Sequence, residues 1–481
     1  MPTSTRRTVA GLITAAPFLA RFARLKADPA FHPDYATATQ TLKALSSGAI
    51  SSEELVKHAF ARIARYNPKI NAFVTLREEQ ALAEAKQADR ARMNKRAQQG
   101  RLAGLPITIK DAFATKGIRT TAGSKRWENF VPEEDAVAVG KLRAAGGIIL
   151  GKTNLPEYSG DIQTFNDLVG TTNNPWNEKR TSGGSTGGGA ASIAAGFSYL
   201  ELGSDSGGSI RIPSHYCGVY GHKSTVHLVS RTGWMPPAPG EFKGPNDWSV
   251  AGPIARSAED LQLMLEVAAG PPPEEAIAYR WSPPAPRRKL LKDFRVGFVA
   301  DDPFCPVAPD MKEALAPVFR SLEGKTAKFV EGWPKGFDPR HNLEVFQFVT
   351  RVFGAPGGTW YSEWEKYYIE RQKIRRVWRE YFQEFDVFLS PVTIVPAILH
   401  DHSMPRDSRV VETYGGKRPY LDLSSWITPA GLNGCPATVA PVALTSRDRL
   451  PVGLQIIGPF LEDLTPIQFA SLVGHIQHPR M

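Results

Sequence analysis

One segment of the chain places serine hydroxyl groups among glycines in a pattern that suits acyl transfer. Ser206-Gly207-Gly208-Ser209 sets a hydroxyl group beside several backbone amides that no bulky side chain covers. Acyl transfer needs a nucleophile and N–H donors that stabilise the developing oxyanion. The segment therefore predicts an acyl-transfer site with a serine nucleophile.

A serine hydroxyl is a weak nucleophile unless a base takes its proton, and Lys110 is the candidate base. It follows the apolar run Leu105–Ile109, which predicts a short buried strand. Burial lowers the pKa of a lysine, so a useful fraction becomes the neutral amine. The alternative is a salt bridge with Asp111 or another carboxylate, and for the lysine taken alone that alternative is the stronger one.

The glycine-rich stretch 183–221 does not fit three other kinds of site. No Gly-Lys-Ser/Thr closes a phosphate-binding loop, and the first glycine pattern of a dinucleotide site is missing. No Gly-x-Ser-x-Gly elbow surrounds Ser209, which disfavours an α/β-hydrolase, and Ser-x-x-Lys occurs nowhere, which removes the β-lactamase arrangement. A serine nucleophile with a lysine from a separate strand remains.

The composition is that of an ordinary globular protein, with 42% hydrophobic and 22% charged residues among 481. Lys and Arg number 58 against 48 Asp and Glu, a net charge of +10. The two densest basic stretches, Arg92–Arg101 and Arg371–Arg379, are interleaved with apolar and acidic residues. They indicate solvated helix faces, so we expect a small-molecule substrate and no nucleic-acid partner.

Cysteine and histidine usage argues against a disulfide framework and against a metal site. Cys217, Cys305 and Cys435 are too few for such a framework, and an odd number leaves at least one thiol free. The dense group His400-Asp401-His402 has no further ligand nearby, so it indicates a surface turn. We expect neither a metal nor a cofactor.

The N-terminus carries Arg6-Arg7 followed by the uncharged apolar segment Val9–Ala20. This order resembles a twin-arginine export signal, although no clean Ala-x-Ala cleavage site follows. The alternatives are a docked N-terminal helix and an interfacial membrane anchor. We therefore treat residues 1–33 as an extension and 34–481 as the catalytic domain. We expect a periplasmic or a cytoplasmic location. No apolar run in the sequence is long enough to span a bilayer.

Alternating helical and strand patterns with glycine-rich connections predict an α/β layered fold. Ser51 and Glu54 form a capping box at the start of a helix that we expect to stop at Asn67-Pro68. The Pro-rich stretch 271–289 indicates a surface crossover between two halves of one domain. Further elements are predicted as helices at 80–99, 136–145 and 187–195, strands at 105–109, 148–150, 386–389 and 437–442, and a helix-dense, aromatic-rich section at 344–385.

The order of motifs over residues 38 to 470 resembles the amidase signature family of serine hydrolases. The motifs that carry this resemblance are Gly104–Asp111, Gly151–Asn154 with Pro156-Glu157, Asn174–Trp176, Gly183–Gly188, Gly203–Pro213, Cys217–Val219 with Gly221 and Lys223, Gly252–Ser257 and Leu450–Gln455. The resemblance implies a single α/β/α domain around a mixed, mostly parallel twisted sheet.

The resemblance also implies a Ser–cis-Ser–Lys triad. Ser209 would be the acylated nucleophile, Ser185 the bridging serine and Lys110 the base, with a cis peptide bond before Ser185. The amides of Ser206, Gly207 and Gly208, with that of Ser209 itself, would form the oxyanion hole.

Thr186, Gly184 and Arg211 are predicted to bind substrate. A buried ion pair is the alternative role for Arg211. Thr186 stands where the family often has serine, and His222 and Ser224 replace a common leucine and proline. We expect His222 to be structural.

Three functions fit these residues. The first is a stand-alone amidase, monomeric or homodimeric, that cleaves an acyl or aryl amide, with carbamates and esters as side substrates. The second is the glutaminase-type subunit of a tRNA-dependent amidotransferase, and the third is an inactive scaffold, which the intact triad opposes. Aromatic residues at 346–368, with Trp127, Phe130 and Trp234, favour an apolar or aromatic substrate.

Overall fold

The computed structural model describes residues 31–94, 100–235, 247–354 and 361–474. Its helices are α1 (Ala38–Ser46), α2 (Ser52–Ile70), α3 (Glu78–Met93), α4 (Val137–Ala144), α5 (Gly187–Ala194), α6 (Arg211–Cys217), α7 (Ala258–Ala268), α8 (Pro309–Leu322), α9 (Pro339–Gly354), α10 (Tyr361–Glu384), α11 (Thr428–Asn433) and α12 (Leu464–Val473). The N-terminal segment, with its alternative roles, lies outside the described residues.

The strands are β1 (Phe73–Leu76), β2 (Pro106–Lys110), β3 (Ile148–Thr153), β4 (Phe165–Asn166), β5 (Gly170–Thr171), β6 (Asn173–Asn174), β7 (Asn177–Thr181), β8 (Leu200–Asp205), β9 (Tyr220–Lys223), β10 (Val250–Ala255), β11 (Arg295–Phe298), β12 (Lys328–Glu331), β13 (Val387–Pro391), β14 (Val410–Thr413), β15 (Gly416–Pro419), β16 (Ala437–Leu444) and β17 (Pro451–Ile457). Eleven of these described strands form one sheet in the order β1-β3-β2-β8-β10-β9-β16-β17-β13-β11-β12.

The sheet is buried on both faces, as the predicted α/β/α layering requires. Along β3, Ile149 belongs to one hydrophobic cluster, whereas Ile148 and Leu150 belong to another. Successive side chains of a strand point to opposite faces, so the two clusters lie on opposite sides of the sheet. Helix α4 contributes to the first cluster and α5 to the second.

The expectation that the sheet is mostly parallel is wrong. Only β2 with β3 and β8, and β11 with β12 and β13, pair in parallel among the described strands. The centre and the β1 edge are antiparallel. Antiparallel neighbours need only a short connection, and residues 445–450 suffice to join β16 to β17.

Local signals located several helix ends, with one correction. The capping box of Ser51 and Glu54 is present at the start of α2. The helix does not stop at Asn67-Pro68 but continues to Ile70, where Asn71 ends it in the left-handed conformation with a φ of 56°. The Asn71 amide donates to the Asn67 carbonyl, so the proline lies within the last turn.

The sheet brings two of the sequence motifs to one edge. Strands β2 and β8 are parallel neighbours, with Ile109 level with Leu202. Lys110 ends β2, and the segment from Ser206 to Ile210 leaves the carboxyl end of β8 and leads into α6. Carboxyl ends of parallel strands share one edge of a sheet, where α/β proteins commonly place their sites.

Candidate active site

Lys110 is fully buried, and its Nζ makes hydrogen bonds only to serine hydroxyl groups among the described residues. Its Nζ donates to Ser185 Oγ at 2.6 Å and to Ser204 Oγ at 2.9 Å. Burial lowers the pKa of Lys110 from 10.5 to about 7, against the opposing effect of the Glu201 and Asp205 charges. The neutral amine is therefore available near neutral pH.

The alternative salt bridge between Lys110 and Asp111 is not formed. The Asp111 carboxylate instead lies 3.6 Å from Lys152 Nζ and accepts hydrogen bonds from the Thr121 amide and hydroxyl. Both Asp111 and Lys152 are completely buried. Lys152 is therefore a structural lysine paired with a carboxylate. An ammonium ion on Lys110 would have no carboxylate partner of this kind.

Ser185 follows a cis peptide bond from Gly184 and is fully buried. There is no space for a side chain at position 184, because a β-carbon there would lie 2.6 Å from the Asp161 carbonyl oxygen. Helix α5 begins two residues after Ser185 and carries three glycines at its start. The chain thus presents Ser185 Oγ to Lys110 from a closely packed turn, while the backbone of Gly184 is enclosed by its neighbours.

Ser209 lies in the loop after β8 and is only partly buried, unlike Ser185 and Lys110. The Thr186 amide donates to the Ser209 carbonyl at 3.1 Å, which ties this loop to the turn that holds Ser185. No hydrogen bond joins the hydroxyl groups of Ser185 and Ser209 in the described chain. The structure therefore brings the three predicted triad residues to one place and connects Lys110 with Ser185 directly.

Asp205 organises the loop after β8 that carries Ser209, the predicted nucleophile. Its carboxylate accepts from the amides of Gly208 at 2.9 Å and Ile210 at 3.1 Å, and it pairs with the Arg211 guanidinium at 2.8 Å. Burial raises the pKa of Asp205, but the charge and hydrogen bonds of Arg211 outweigh burial and hold the pKa at about 2. Asp205 is consequently an ionised carboxylate with its oxygens satisfied.

Two predicted roles change with this geometry. The Gly208 amide is occupied by Asp205, so Gly208 is not a free oxyanion donor, whereas the amides of Gly207 and Ser209 make no hydrogen bond in the described structure. Arg211 is fully buried and donates to Asp205, Ile427 O and Gln455 Oε1. The expectation that it binds substrate is therefore corrected to its alternative, a buried ion pair.

The remaining predicted positions have mostly structural contacts. Thr186 Oγ1 donates to the Ser204 carbonyl at 3.2 Å, so its hydroxyl group is used. Buried His222 contacts Thr438 and Asp463, as a structural histidine would. The three cysteines are free and buried.

Most of the predicted aromatic residues pack against other aromatic rings, whereas Phe346 lies beside the loop that carries Ser209. Phe348 stacks on Tyr367 with 3.6 Å between the ring centroids, and Trp234 contacts Phe113. In contrast, the Phe346 ring lies 4.0 Å from where a β-carbon on Gly207 would be and 3.0 Å from one on Gly431. Phe346 therefore lies beside the loop that carries Ser209.

Sequence reasoning missed three polar residues around the triad. Ser204 shares Lys110 with Ser185, Asp205 holds the loop, and Glu201 is buried beneath α5. Ser204 and Asp205 lie within the Gly203–Pro213 motif, so motif membership was the available signal. Glu201 had no comparable signal beyond a charge in an apolar strand.

Other surfaces of the described chain lie apart from this site. A groove of about 1030 Å³ is lined by α10 and by residues around Phe460, and no triad residue lines it. No helix within residues 31–94, 100–235, 247–354 or 361–474 is long and apolar enough to cross a membrane. Within the same ranges, no group of three metal-ligating side chains occurs.

A family model described as Amidase matches residues 54–356 and 344–465. The chain belongs to this family, the amidase signature enzymes, as its motifs predicted. Its fold and its C–N hydrolase class follow from that membership.

Individual relatives point to more than one activity. The chain is 32% identical to the glutamyl-tRNA(Gln) amidotransferase A subunit of Thermosynechococcus vestitus, across 90% of this chain and 97% of the relative. A solved amidase superposes with a TM-score of 0.76 at 26% identity, covering 91% of this chain and 98% of that one. A structure from work on an s-triazine catabolic enzyme gives 0.75 at 28% identity with the same coverage.

Proposed function

We propose that this chain hydrolyses carboxamides through a serine acyl-enzyme, with Ser209 as nucleophile, Ser185 as proton relay and Lys110 as base. One observation carries the proposal. A fully buried lysine with no carboxylate within ion-pair distance among the described residues places its Nζ 2.6 Å from Ser185 Oγ. Such a lysine is stable as the neutral amine that a general base requires.

The reaction follows from these positions. Neutral Lys110 accepts the hydroxyl proton of Ser185, and Ser185 accepts that of Ser209 while the Ser209 oxygen attacks the amide carbonyl. The amides of Gly207 and Ser209 donate to the oxyanion. The relay then returns a proton to the leaving nitrogen, which departs as a neutral amine, and water hydrolyses the acyl-enzyme by the same sequence.

The surroundings of the nucleophile favour an apolar acyl or aryl amide. The Phe346 ring lies beside Gly207, and the Ile427 side chain is 3.2 Å from where a β-carbon on Gly208 would be. The nearest cation in this loop, Arg211, is already paired with Asp205. Carbamates and esters present the same carbonyl to Ser209, and we expect them as side substrates.

A second candidate, glutamine hydrolysis within a tRNA-dependent amidotransferase, is supported by the relatives. The curated proteins with 30–33% identity are named as amidotransferase A subunits, and this chain covers 97% of the length of the Thermosynechococcus vestitus protein. These names favour glutamine hydrolysis over the stand-alone amidase. That function would require partner subunits for the ammonia released.

The purified chain should be assayed against anilides, aliphatic amides, carbamates and glutamine. We expect Ser209→Ala to abolish turnover, because the variant has no nucleophile, and Ser192→Ala to retain it. Ser192 is the control serine, since it lies outside the site and its buried hydroxyl contacts only Ser198 among the described residues. Near-normal turnover by Ser209→Ala would refute the acyl-enzyme assignment. Activity on glutamine alone would select the second candidate, and no activity on any substrate class would support the inactive scaffold.

A further inference from the structure

Glu201 is a completely buried carboxyl group close to the predicted base. It lies on β8 opposite Thr108 of the neighbouring strand β2. Its Oε1 accepts a hydrogen bond of 2.7 Å from Thr153 Oγ1, and Thr153 is level with Lys110 in the pairing of β3 with β2. The Glu201 side chain thus reaches across β2 to Thr153 of β3, the residue paired with Lys110.

The chain leaves a fitted space for this carboxyl group. Helix α5 passes over it with Gly189, where a β-carbon would lie 2.4 Å from Glu201 Oε1. Any larger residue at position 189 would displace the carboxyl group. The second oxygen, Oε2, is buried and has no hydrogen-bond partner in the described structure. An unpartnered buried carboxylate oxygen is unfavourable, whereas a protonated carboxyl group carries less charge to solvate.

The charged groups around Glu201 come from several elements. Lys110 on β2 and Lys152 on β3 are the buried cations that act on it. Lys152 has its own partners, with Thr115 Oγ1 and Thr120 Oγ1 each at 2.9 Å and the Asp111 carboxylate at 3.6 Å.

Thr108 of β2 also lowers the pKa of Glu201, although its hydroxyl group makes its hydrogen bonds to Ser198 Oγ and the Leu200 carbonyl. The other elements packed around Glu201 add no charged partner. Helix α5 has no ionisable side chain. Arg256, just beyond β10, donates to the carbonyls of Ile193 and Ser198, and Asp205 at the end of β8 is paired with Arg211. No lysine or arginine lies within ion-pair distance of the Glu201 carboxylate in the described chain.

We propose that Glu201 is a positioning residue that controls the protonation of Lys110 by holding, on Oε2, the proton that Lys110 must lack to act as a base. The pair then has two arrangements of one proton, a neutral amine with a carboxylic acid or an ammonium with a carboxylate. Both have the same net charge, and the proton that one group loses the other gains. Only the first arrangement contains an active base.

The protonation equilibria agree with this geometry. Burial raises the pKa of Glu201 to about 7, and burial lowers the pKa of Lys110 to about 7. The two groups therefore exchange protons in the same pH range, and their titration belongs to the pair rather than to either residue. When Glu201 ionises first, its charge stabilises the ammonium form of Lys110 and delays formation of the base.

The test rests on the proposed function for its first readout, the pH dependence of kcat/KM. Glu201→Gln preserves the shape of the side chain but cannot ionise. In Glu201→Gln we expect the acidic limb of the kcat/KM profile to follow a single protonation and to move about one pH unit lower. The reason is that the competing ammonium–carboxylate arrangement cannot form in this variant. A limb that stays in place or moves to higher pH would overturn the proposal, as would a uniform loss of rate at all pH values.

A second readout does not need activity. The Lys110 side chain can be followed by NMR titration of protein labelled with ¹³C at lysine Cε, with the signal assigned from its loss in Lys110→Arg. The Lys110 titration should also move to lower pH in Glu201→Gln. A moved titration in a chain that hydrolyses no amide would leave this proposal standing and refute only the proposed function.

Two further variants keep the test decisive if Glu201→Gln folds poorly. Thr153→Val removes the hydrogen bond that stabilises the Glu201 carboxylate, so it should move the Lys110 titration in the same direction by a smaller amount. Asp260→Asn is the matched control, since Asp260 is also a buried acid but contacts Ala38 and Thr39, away from the site. It should leave the titration in place. An unmoved titration in Thr153→Val, or an equal displacement in Asp260→Asn, would refute the specific role of Glu201.

Discussion

Replacing Lys110 by methionine should make the protein more stable and less active at the same time. Burial lowers the pKa of Lys110 from 10.5 to about 7, and this difference corresponds to about 5 kcal/mol of destabilisation in the folded state at pH 7. Methionine has a similar length and no charge to desolvate. The variant loses the hydrogen bonds to Ser185 and Ser204, worth about 1 kcal/mol each. A net gain of about 3 kcal/mol in the free energy of unfolding remains.

The gain in stability of Lys110→Met over the wild type should decrease as the pH rises above 7. Between pH 7 and pH 10.5 the unfolded chain keeps the Lys110 proton while the folded wild-type chain has released it, so wild-type stability rises with pH. Lys110→Met has no such contribution, so its advantage of about 3 kcal/mol at pH 7 should fall by about 4 kcal/mol by pH 10 and become a disadvantage of about 1 kcal/mol. Below pH 7 both states of the wild type hold the proton, and the difference should be constant.

Urea unfolding of the wild type and Lys110→Met at pH 7 and pH 10 measures these differences. Lys43→Met, at an exposed position on α1, is the control and should change the free energy of unfolding little at either pH. In parallel, kcat/KM should fall by about a hundredfold to ten-thousandfold, the usual contribution of a general base. A variant no more stable than the wild type at pH 7, or an advantage that does not shrink with pH, would refute the view of Lys110 as an unpaired buried lysine.

Two further substitutions test the loop and the acyl pocket. Asp205→Asn should lower the free energy of unfolding by about 3–5 kcal/mol, because it leaves the Arg211 guanidinium buried without its partner, and urea unfolding at pH 7 would detect this loss. A loss below about 1 kcal/mol would contradict a buried ion pair. Gly431→Ala places a methyl group 3.0 Å from the Phe346 ring, so it should reduce kcat/KM for bulky anilides at least about tenfold more than for acetamide. Equal losses for both substrates would place Phe346 outside the acyl pocket.

Local sequence signals predicted those parts of the fold that depend on neighbours in the chain. The Ser51–Glu54 capping box requires only residues three apart, and it is present. The surface crossover at 271–289 follows from its prolines, and that stretch is largely exposed in the structure. The direction of strand pairing depends on which distant strands meet, as β9 meets β16, and no local pattern contains that information.

Only the site residues that lie within recognised sequence motifs could be predicted. Lys110, Ser185 and Ser209 lie in matched motifs, and the fold brings them together. The competition for the Gly208 amide could not be foreseen, because it depends on how the loop turns back onto Asp205. Glu201 was missed for a related reason, since its significance comes from the packing of α5 and β3 against it.

The charged groups buried around the predicted triad are of two kinds, and the difference between them supports the proposal that Lys110 serves as a base. Asp205 and Arg211 compensate one another fully, so they can remain ionised without solvent. Lys110 has only hydroxyl partners, which stabilise an ammonium ion less than a carboxylate contact would. The charge of Asp205 still raises the pKa of Lys110 somewhat, although Asp205 is paired with Arg211. Burial outweighs that charge and lowers the pKa of Lys110 to about 7, so the neutral amine that the proposed mechanism requires is accessible near neutral pH.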